Sequence, residues 1–346
     1  MLVSVHAFAS DPTRGIFIIL LLALISGFGV FLYLKNVEFF TDNKSVNFFS
    51  REGAISLNNI FLLSLSFTIL VGTIYPIFSS AVFNSKISVG APFFNSILTP
   101  IMVPLIIGMI VGPFLKWGRD DLYKLALRIK EVLFIIILTS IVVWYLNFNG
   151  PVLSVLFFIL SSWICVSSLI EIFESIFNNV KLKKKNILSF KVLSQSIAHI
   201  GIGLIIFGAT GTSILKEENI QFQTVNETIT VDHYDVKFLG VKRVVGPNYL
   251  SQMGEFEIHK GDSFIKVLKP EKRFYNSGNR VTTEASILTT FKGDLYIALG
   301  EKNLLVEEDA WTTRIWFNPY TVWIWIGTIF LVIGGSISLA RNTKKL

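Results

Sequence analysis

Residues 195–215 read QSIAHIGIGLIIFGATGTSIL, and residues 234–238 read YDVKF. Between these two stretches the period of the chain changes, and that change decides the fold. The first holds no Lys, Arg, Asp or Glu and has the length of a helix that crosses a hydrocarbon core of about 30 Å. In the second, Tyr234, Val236 and Phe238 alternate with Asp235 and Lys237, the pattern of a strand with one buried face.

Outward from the first stretch, six more segments have the apolar length of a span. They are Gly15–Leu34, Leu57–Tyr75, Ile97–Phe114, Val132–Phe148, Val152–Ile172 and Tyr320–Ala340. The turn Asn149-Gly150-Pro151 joins two of them into a helical hairpin. Residues before Gly15 lack a basic n-region, so no segment reads as a cleaved signal peptide. Outward from the second stretch, short alternating runs broken by Gly, Asn, Asp and Pro fill residues 216–319. The expected fold is a polytopic α-helical membrane protein of about seven spans with one inserted extracytoplasmic antiparallel β domain. Its parts are 1–215, a membrane domain of six helices; 216–319, a periplasmic β domain; and 320–346, a last helix with a cytoplasmic tail. Barrel and sandwich both remain open for the β domain.

Composition agrees. Of 346 residues, 52% are hydrophobic and only 16% charged, against about 25% charged in soluble domains. The mean hydropathy is +0.60. These values exclude a soluble globular enzyme and a disordered chain. One cysteine excludes a disulfide framework, a Cys-based zinc site and a CxxC redox pair.

Charge sets the orientation. The loops after the first, third and fifth spans and the C-terminal tail hold three, five, five and three Lys/Arg. The opposite side holds almost none outside the β domain, which carries 13 basic and 15 acidic residues. The positive-inside rule discounts large domains, so it puts the N-terminus and β domain outside and the C-terminus in the cytoplasm. The net charge of +7 therefore sits in the membrane part, against an anionic leaflet, and nucleic acid is not an expected partner.

Four histidines are the main candidates for chemistry: His6, His199, His233 and His259. No HExxH, GxSxG or P-loop motif occurs. His199 lies inside a span, about 12 Å in from the cytoplasmic side at 1.5 Å per residue. An ionisable group there is a functional candidate by default. Its stripe reads Gln195, His199, Gly203, Phe207, Gly211. Two readings fit. The glycines leave room for something flat such as a haem, with imidazole as axial ligand, or they let helices pack closely and His199 bonds a neighbour. His6 sits outside the first span, with Asp11 and Arg14 near it. His233 and His259 read as surface histidines of the β domain. Glu171 and Glu174 end the fifth span, where carboxylates are usually solvated, and Cys165 reads as a small core residue. Trp311, Trp316, Tyr320, Trp323 and Trp325 have the composition of an interfacial aromatic belt.

At these residues the chain resembles the CcmF/NrfE-type cytochrome c haem lyases. The carrying segments are SVHAFASDPTRGIF (4–17), SREGAISLNNIFLL (50–63), KISVGAPFFNSILTPIMVPL (86–105) and GPFLKWGRDDL (112–122). They continue with SIAHIGIGLIIFGATGTS (196–213), GPNYLSQMGEFEI (246–258), KPEKRFY (269–275), TTEASI (282–287), GDLYIALGE (293–301) and WIWIGTIFLVIGG (323–335). The resemblance implies a part in attaching haem to the thiols of a CxxCH motif in apocytochrome c, at the outer face of the bacterial inner membrane. It implies a periplasmic haem chaperone as donor. It also implies His199 as an axial ligand to a membrane haem b and His6 as an axial ligand to the transferred haem. It implies no acid/base dyad, so no catalytic side chain is expected beyond these ligands.

The likeness is to the family's C-terminal half only. The tryptophan-rich haem-handling loop, a second periplasmic histidine and the first transmembrane haem histidine belong to the other half. The expected partners are therefore that N-terminal half or other maturation subunits, the chaperone, apocytochrome c and the lipid bilayer. A fragment, a split gene and a short natural form all fit this. The alternative is a non-catalytic assembly or docking subunit of the maturation complex.

Overall fold

The computed structural model describes residues 12–40, 46–83, 85, 87–146, 151–183, 189–276, 281–303 and 309–343. The chain divides into two compact units, Met1–Glu131 and Val132–Leu346.

The first unit holds helices α1 (Pro12–Lys35), α2 (Val37–Phe40), α3 (Arg51–Phe83) and α4 (Ala91–Val111), a 3-10 turn Gly112–Phe114, and the start of α5 (Leu122–Leu146). α3 packs against both α1 and α4. Ser50 caps the start of α3: its Oγ accepts the Gly53 N–H at 3.0 Å and donates to Asn47 O at 2.6 Å. Gly53 is required there, because a methyl would collide with the carbonyls of Phe48 and Asn47. The segment after α4 is pinned to this cap. The Arg51 N–H donates to Lys116 O, the Asp120 N–H to Phe49 O, and the Gly118 N–H to the Glu52 carboxylate at 2.9 Å. Two separated sequence segments, 50–63 and 112–122, thus form one polar knot.

The second unit holds the rest of α5, then α6 (Val152–Lys181), α7 (Phe190–Ile214) and α8 (Thr321–Thr343). Its strands are β1 (Glu217–Thr224), β2 (Thr228–Val231), β3 (Tyr234–Val245), β4 (Tyr249–Lys260), β5 (Ser263–Leu268), β6 (Glu271–Tyr275), β7 (Val281–Glu284), β8 (Ser286–Thr290), β9 (Gly293–Lys302) and β10 (Ala310–Pro319). Among the described residues six helical segments are long and apolar enough to cross a membrane: Ile16–Lys35, Arg51–Ser80, Ala91–Phe114, Val152–Lys181, Phe190–Ile214 and Thr321–Ala340. The seventh expected span falls on α5, whose apolar run among the described residues, Leu133–Leu146, is shorter than a full crossing. The protein is a multi-pass helical membrane protein with a β domain.

The strands form two antiparallel sheets, one ordered β1-β10-β9-β8 and the other β2-β3-β4-β6-β7, with β5 beside β4. Phe238, Phe256, Ile258, Leu295, Ile297 and Ile315 are sealed between them. Two facing sheets make a sandwich, which decides the question the sequence left open. Phe238 and Phe256 stack at 4.9 Å across the β3–β4 pair. A bulge follows at Gly240, whose φ of +116° suits glycine. The sandwich is tied to the helices at one end. Thr212 Oγ1 donates to Pro319 O at 2.9 Å, the Tyr320 N–H to Lys292 O at 2.9 Å, and Trp323 Nε1 to Phe291 O at 3.1 Å.

The expected aromatic belt is only partly one. Trp311 is 6% exposed in the sandwich core, at the end of β10 far from α8. Trp316 lies on a sheet face, edge-on to Tyr296 at 4.9 Å. Tyr320 and Trp323 pack on Phe207 of α7. Only Trp325, mostly exposed on α8, has the environment of a belt residue.

Candidate functional site

The site is built on α7 and its two neighbours. On the face toward α8, Ser194, Ala198, Gly201, Ile205 and Gly208 recur at helical spacing. A methyl on Gly201 would come within 2.6 Å of Gly327 O, and one on Gly208 within 2.9 Å of Tyr320 O. From the other helix, a methyl on Gly334 would meet Ser194 O at 2.8 Å. Glycine is what lets these two backbones approach so closely.

On the face toward α6, Gly203 does the same. A methyl there would fall 2.5 Å from Cys165 Sγ and 2.6 Å from Ile164 Cγ2. Cys165 is the small packing residue expected of it. One end of this contact is polar. Glu171 of α6 accepts from Ser196 Oγ at 2.9 Å and from Gln195 Nε2 at 3.5 Å. Glu171 is therefore not simply solvated at a helix end. The signal was present as Gln195 and Ser196 just before His199, but their partner lies in another span.

His199 sits one turn beyond Gln195 and one turn before Gly203 on this face, half-buried. Among the described residues nothing hydrogen-bonds its ring. The two sequence readings are thus each met in half. The space at Gly203 and Gly211 on its stripe is filled, by Cys165 and Ile164 and by the Tyr320 ring. Yet the imidazole bonds no neighbouring helix. An apolar span with one uncommitted imidazole fits an axial haem ligand by its donor chemistry, although the glycines are not the cradle.

His6 lies outside the described residues. His233 is exposed beside Asp232 at 3.5 Å. His259 is half-buried, 3.7 Å from Glu257 and edge-on to Phe264 at 5.6 Å. His233 and His259 both belong to the β domain and not to the site on α7. Among the described residues no three His, Cys, Asp or Glu side chains converge on a point.

In class, then, the chain is a multi-pass membrane protein that carries a β-sandwich on two closely packed helices and one uncommitted histidine within a span. Residues 214–319 match the family model described as the CcmF C-terminal beta-sandwich. The chain is 32% identical over 346 residues to the cytochrome c-type biogenesis protein CcmF of Haemophilus influenzae, covering 98% of this chain and 52% of that protein. It is 31% identical to CcmF of Escherichia coli, covering 98% and 51%, and 26% identical to NrfE of Haemophilus influenzae, covering 99% and 53%. A solved structure titled Cytochrome c Heme Lyase CcmF shares the fold, with a TM-score of 0.65 at 17% identity over 84% of this chain and 46% of that one. The chain spans about half the length of the curated relatives it matches. It corresponds to the C-terminal half of the CcmF/NrfE-type cytochrome c biogenesis proteins.

Proposed function

We propose that this chain is the C-terminal part of a cytochrome c haem lyase in the bacterial inner membrane. The observation that carries the reading is the imidazole of His199, uncommitted in an apolar span, in a chain similar along nearly its whole length to CcmF proteins. His199 would hold a membrane haem b, which would supply a redox-active iron there. The family's N-terminal half would supply its other protein ligand. His6 ligates the substrate haem at the outer face, after delivery by a periplasmic haem chaperone. There each cysteine S–H of the apocytochrome CxxCH motif adds across a haem vinyl group, forming a C–S bond. The chain's share is orientation and axial ligation, which lowers the entropy barrier to that addition. The division into 1–215, 216–319 and 320–346 follows, with the N-terminus and sandwich periplasmic and the C-terminus cytoplasmic.

A second reading, a non-catalytic docking subunit of the maturation complex, is favoured by one observation: helices occupy the space at the glycines around His199. One experiment separates the two. The chain is co-expressed with the N-terminal half of a CcmF relative in a host lacking its own lyase. Reduced visible spectra and haem-stained cytochrome c are then recorded. The lyase reading expects His199→Ala to lose the b-type α band, and His6→Ala to keep that band but make no holocytochrome c. Wild-type yields of holocytochrome c from both variants would overturn the assigned roles.

A further inference from the structure

The sandwich is open at one end of its larger sheet. On β4, Ile258 and Phe256 are buried in the core, and steps of two from them lead through Gly254 and Gln252 to Leu250 on the same face. Leu250 is nevertheless 55% exposed. Its cross-strand partners continue the row: Val245 on β3, Phe274 on β6 and Val281 on β7, at 81%, 36% and 52% exposure. Four core-facing apolar side chains thus line up uncovered across four strands. A concavity of about 340 Å³ lies over three of them, Val245, Leu250 and Phe274, with Arg243 and Gln252 of the next row at its rim.

The cations around Arg243 are paired. Lys242 and Lys269 share Glu255, Lys272 binds Glu301, and Arg273 binds Glu271. Arg243 is exposed and has no carboxylate partner among the described residues. An apolar row beside an uncommitted guanidinium is the make-up of a protein-binding surface. We propose that this open end docks a polypeptide segment that presents apolar side chains next to a carboxylate.

The charge beside the row disfavours lipid tails as the occupant, and so does position along the strand. The Asp232 N–H donates to Glu217 Oε2 at 2.8 Å, so β3 starts beside the end of α7. At about 3.3 Å per residue, Val245 lies up to roughly 35 Å further along the strand. The inference does not depend on haem.

The test pans a random peptide library against the full chain in nanodiscs. Selected peptides are expected to combine Asp or Glu with Leu, Ile, Phe or Trp. A synthetic copy of the leading peptide should lose about ten-fold in affinity to Leu250→Asp and to Arg243→Glu, and nothing to Lys266→Glu. Leu250→Ser, with melting curves for each variant, guards against misfolding. The proposal is overturned by selection without an acidic–apolar consensus, or by equal binding to wild type and variants. It is also overturned if wild type is a dimer that Leu250→Asp dissociates, because the occupant is then a second copy.

Discussion

Gly201→Ala should drive α7 and α8 apart. The new methyl carbon would sit 2.6 Å from Gly327 O and 3.0 Å from Leu331 N, both backbone atoms that no rotamer change can move. A carbon needs about 3.3 Å from a carbonyl oxygen, so the axes must part by roughly 0.7 Å at this level. Overpacking of this kind costs about 1–3 kcal/mol. Alanine returns about 0.5–1 kcal/mol through its better helix propensity. The net is a loss of up to about 2.5 kcal/mol, centred near 1 kcal/mol. Gly335, in the interior of the same α8, is the control: nothing lies within 4 Å of its position. Gly335→Ala should keep only the propensity gain and melt slightly above wild type. Thermal unfolding of the full chain in nanodiscs measures both. If Gly201→Ala melts at or above wild type, the close α7–α8 approach is not what holds this pair together.

Other outcomes follow from the sandwich. Gln223 is fully buried on β1, and its Nε2 donates to Glu227 O at 2.9 Å and Val236 O at 3.2 Å. Gln223→Leu removes both bonds, at about 0.5–1.5 kcal/mol each, although Glu227 O still accepts the Phe238 N–H at 3.0 Å, and the loss is read as a lower melting temperature. Burial pushes the Asp294 carboxyl above its ordinary range, against a smaller opposing bond from Thr289, and its Oδ1 is buried without a partner. Because the folded value is raised, ionisation at neutral pH works against folding. Asp294→Asn should therefore raise stability at pH 7, and the gain should vanish as pH falls below the ordinary carboxylate value. Glu271 has the opposite sign. The Arg273 hydrogen bond, outweighing burial, holds its carboxyl low, with Ser251 adding a second bond. Its stabilisation is present above the ordinary carboxylate range and is lost as pH falls through the lowered value. Glu271→Gln should flatten the acid limb of the melting profile.

The spans were legible because the bilayer imposes a length that few other structures need, and His199 stood out because ionisable side chains are rare at that depth. The β insertion was legible because alternation as clean as Tyr234–Phe238 has one cheap explanation. The sandwich was not, because its closure depends on pairings such as Gln223–Trp311 between residues far apart in sequence. Which of the two readings of the glycines holds was not legible for the same reason. A glycine next to a histidine looks like space until the helix that fills it is in place. Trp311 looked like a belt residue because it is close in sequence to α8, yet a ten-residue strand carries it to the far end of the sandwich.

Tyr320 shows how the two parts of the second unit are joined. It is one of the few non-glycine residues with a left-handed backbone, φ +61°. For a bulky residue this costs about 1–2 kcal/mol. The joint imposes it, since the Tyr320 N–H must reach Lys292 O while its carbonyl receives the first turn of α8 through Trp323. The ring offsets the strain by packing 4.8 Å from Phe207 and filling the space beside Gly211. Burying an aromatic ring contributes about 1.5–3 kcal/mol, and the ring pair about 0.5–1.5 more. Tyr320→Phe should therefore be nearly neutral, and Tyr320→Gly should lose about 1–3 kcal/mol despite relieving the backbone. The interaction itself is measured by a cycle with Gly211→Ala. In wild type the new methyl collides with the Tyr320 ring and should destabilise. In the Tyr320→Gly background it enters the vacated space and should be neutral or stabilising. An equal cost in both backgrounds would mean that the ring does not occupy the Gly211 notch, and that the tie from α7 to the sandwich rests on the Thr212 hydroxyl bond to Pro319 O instead.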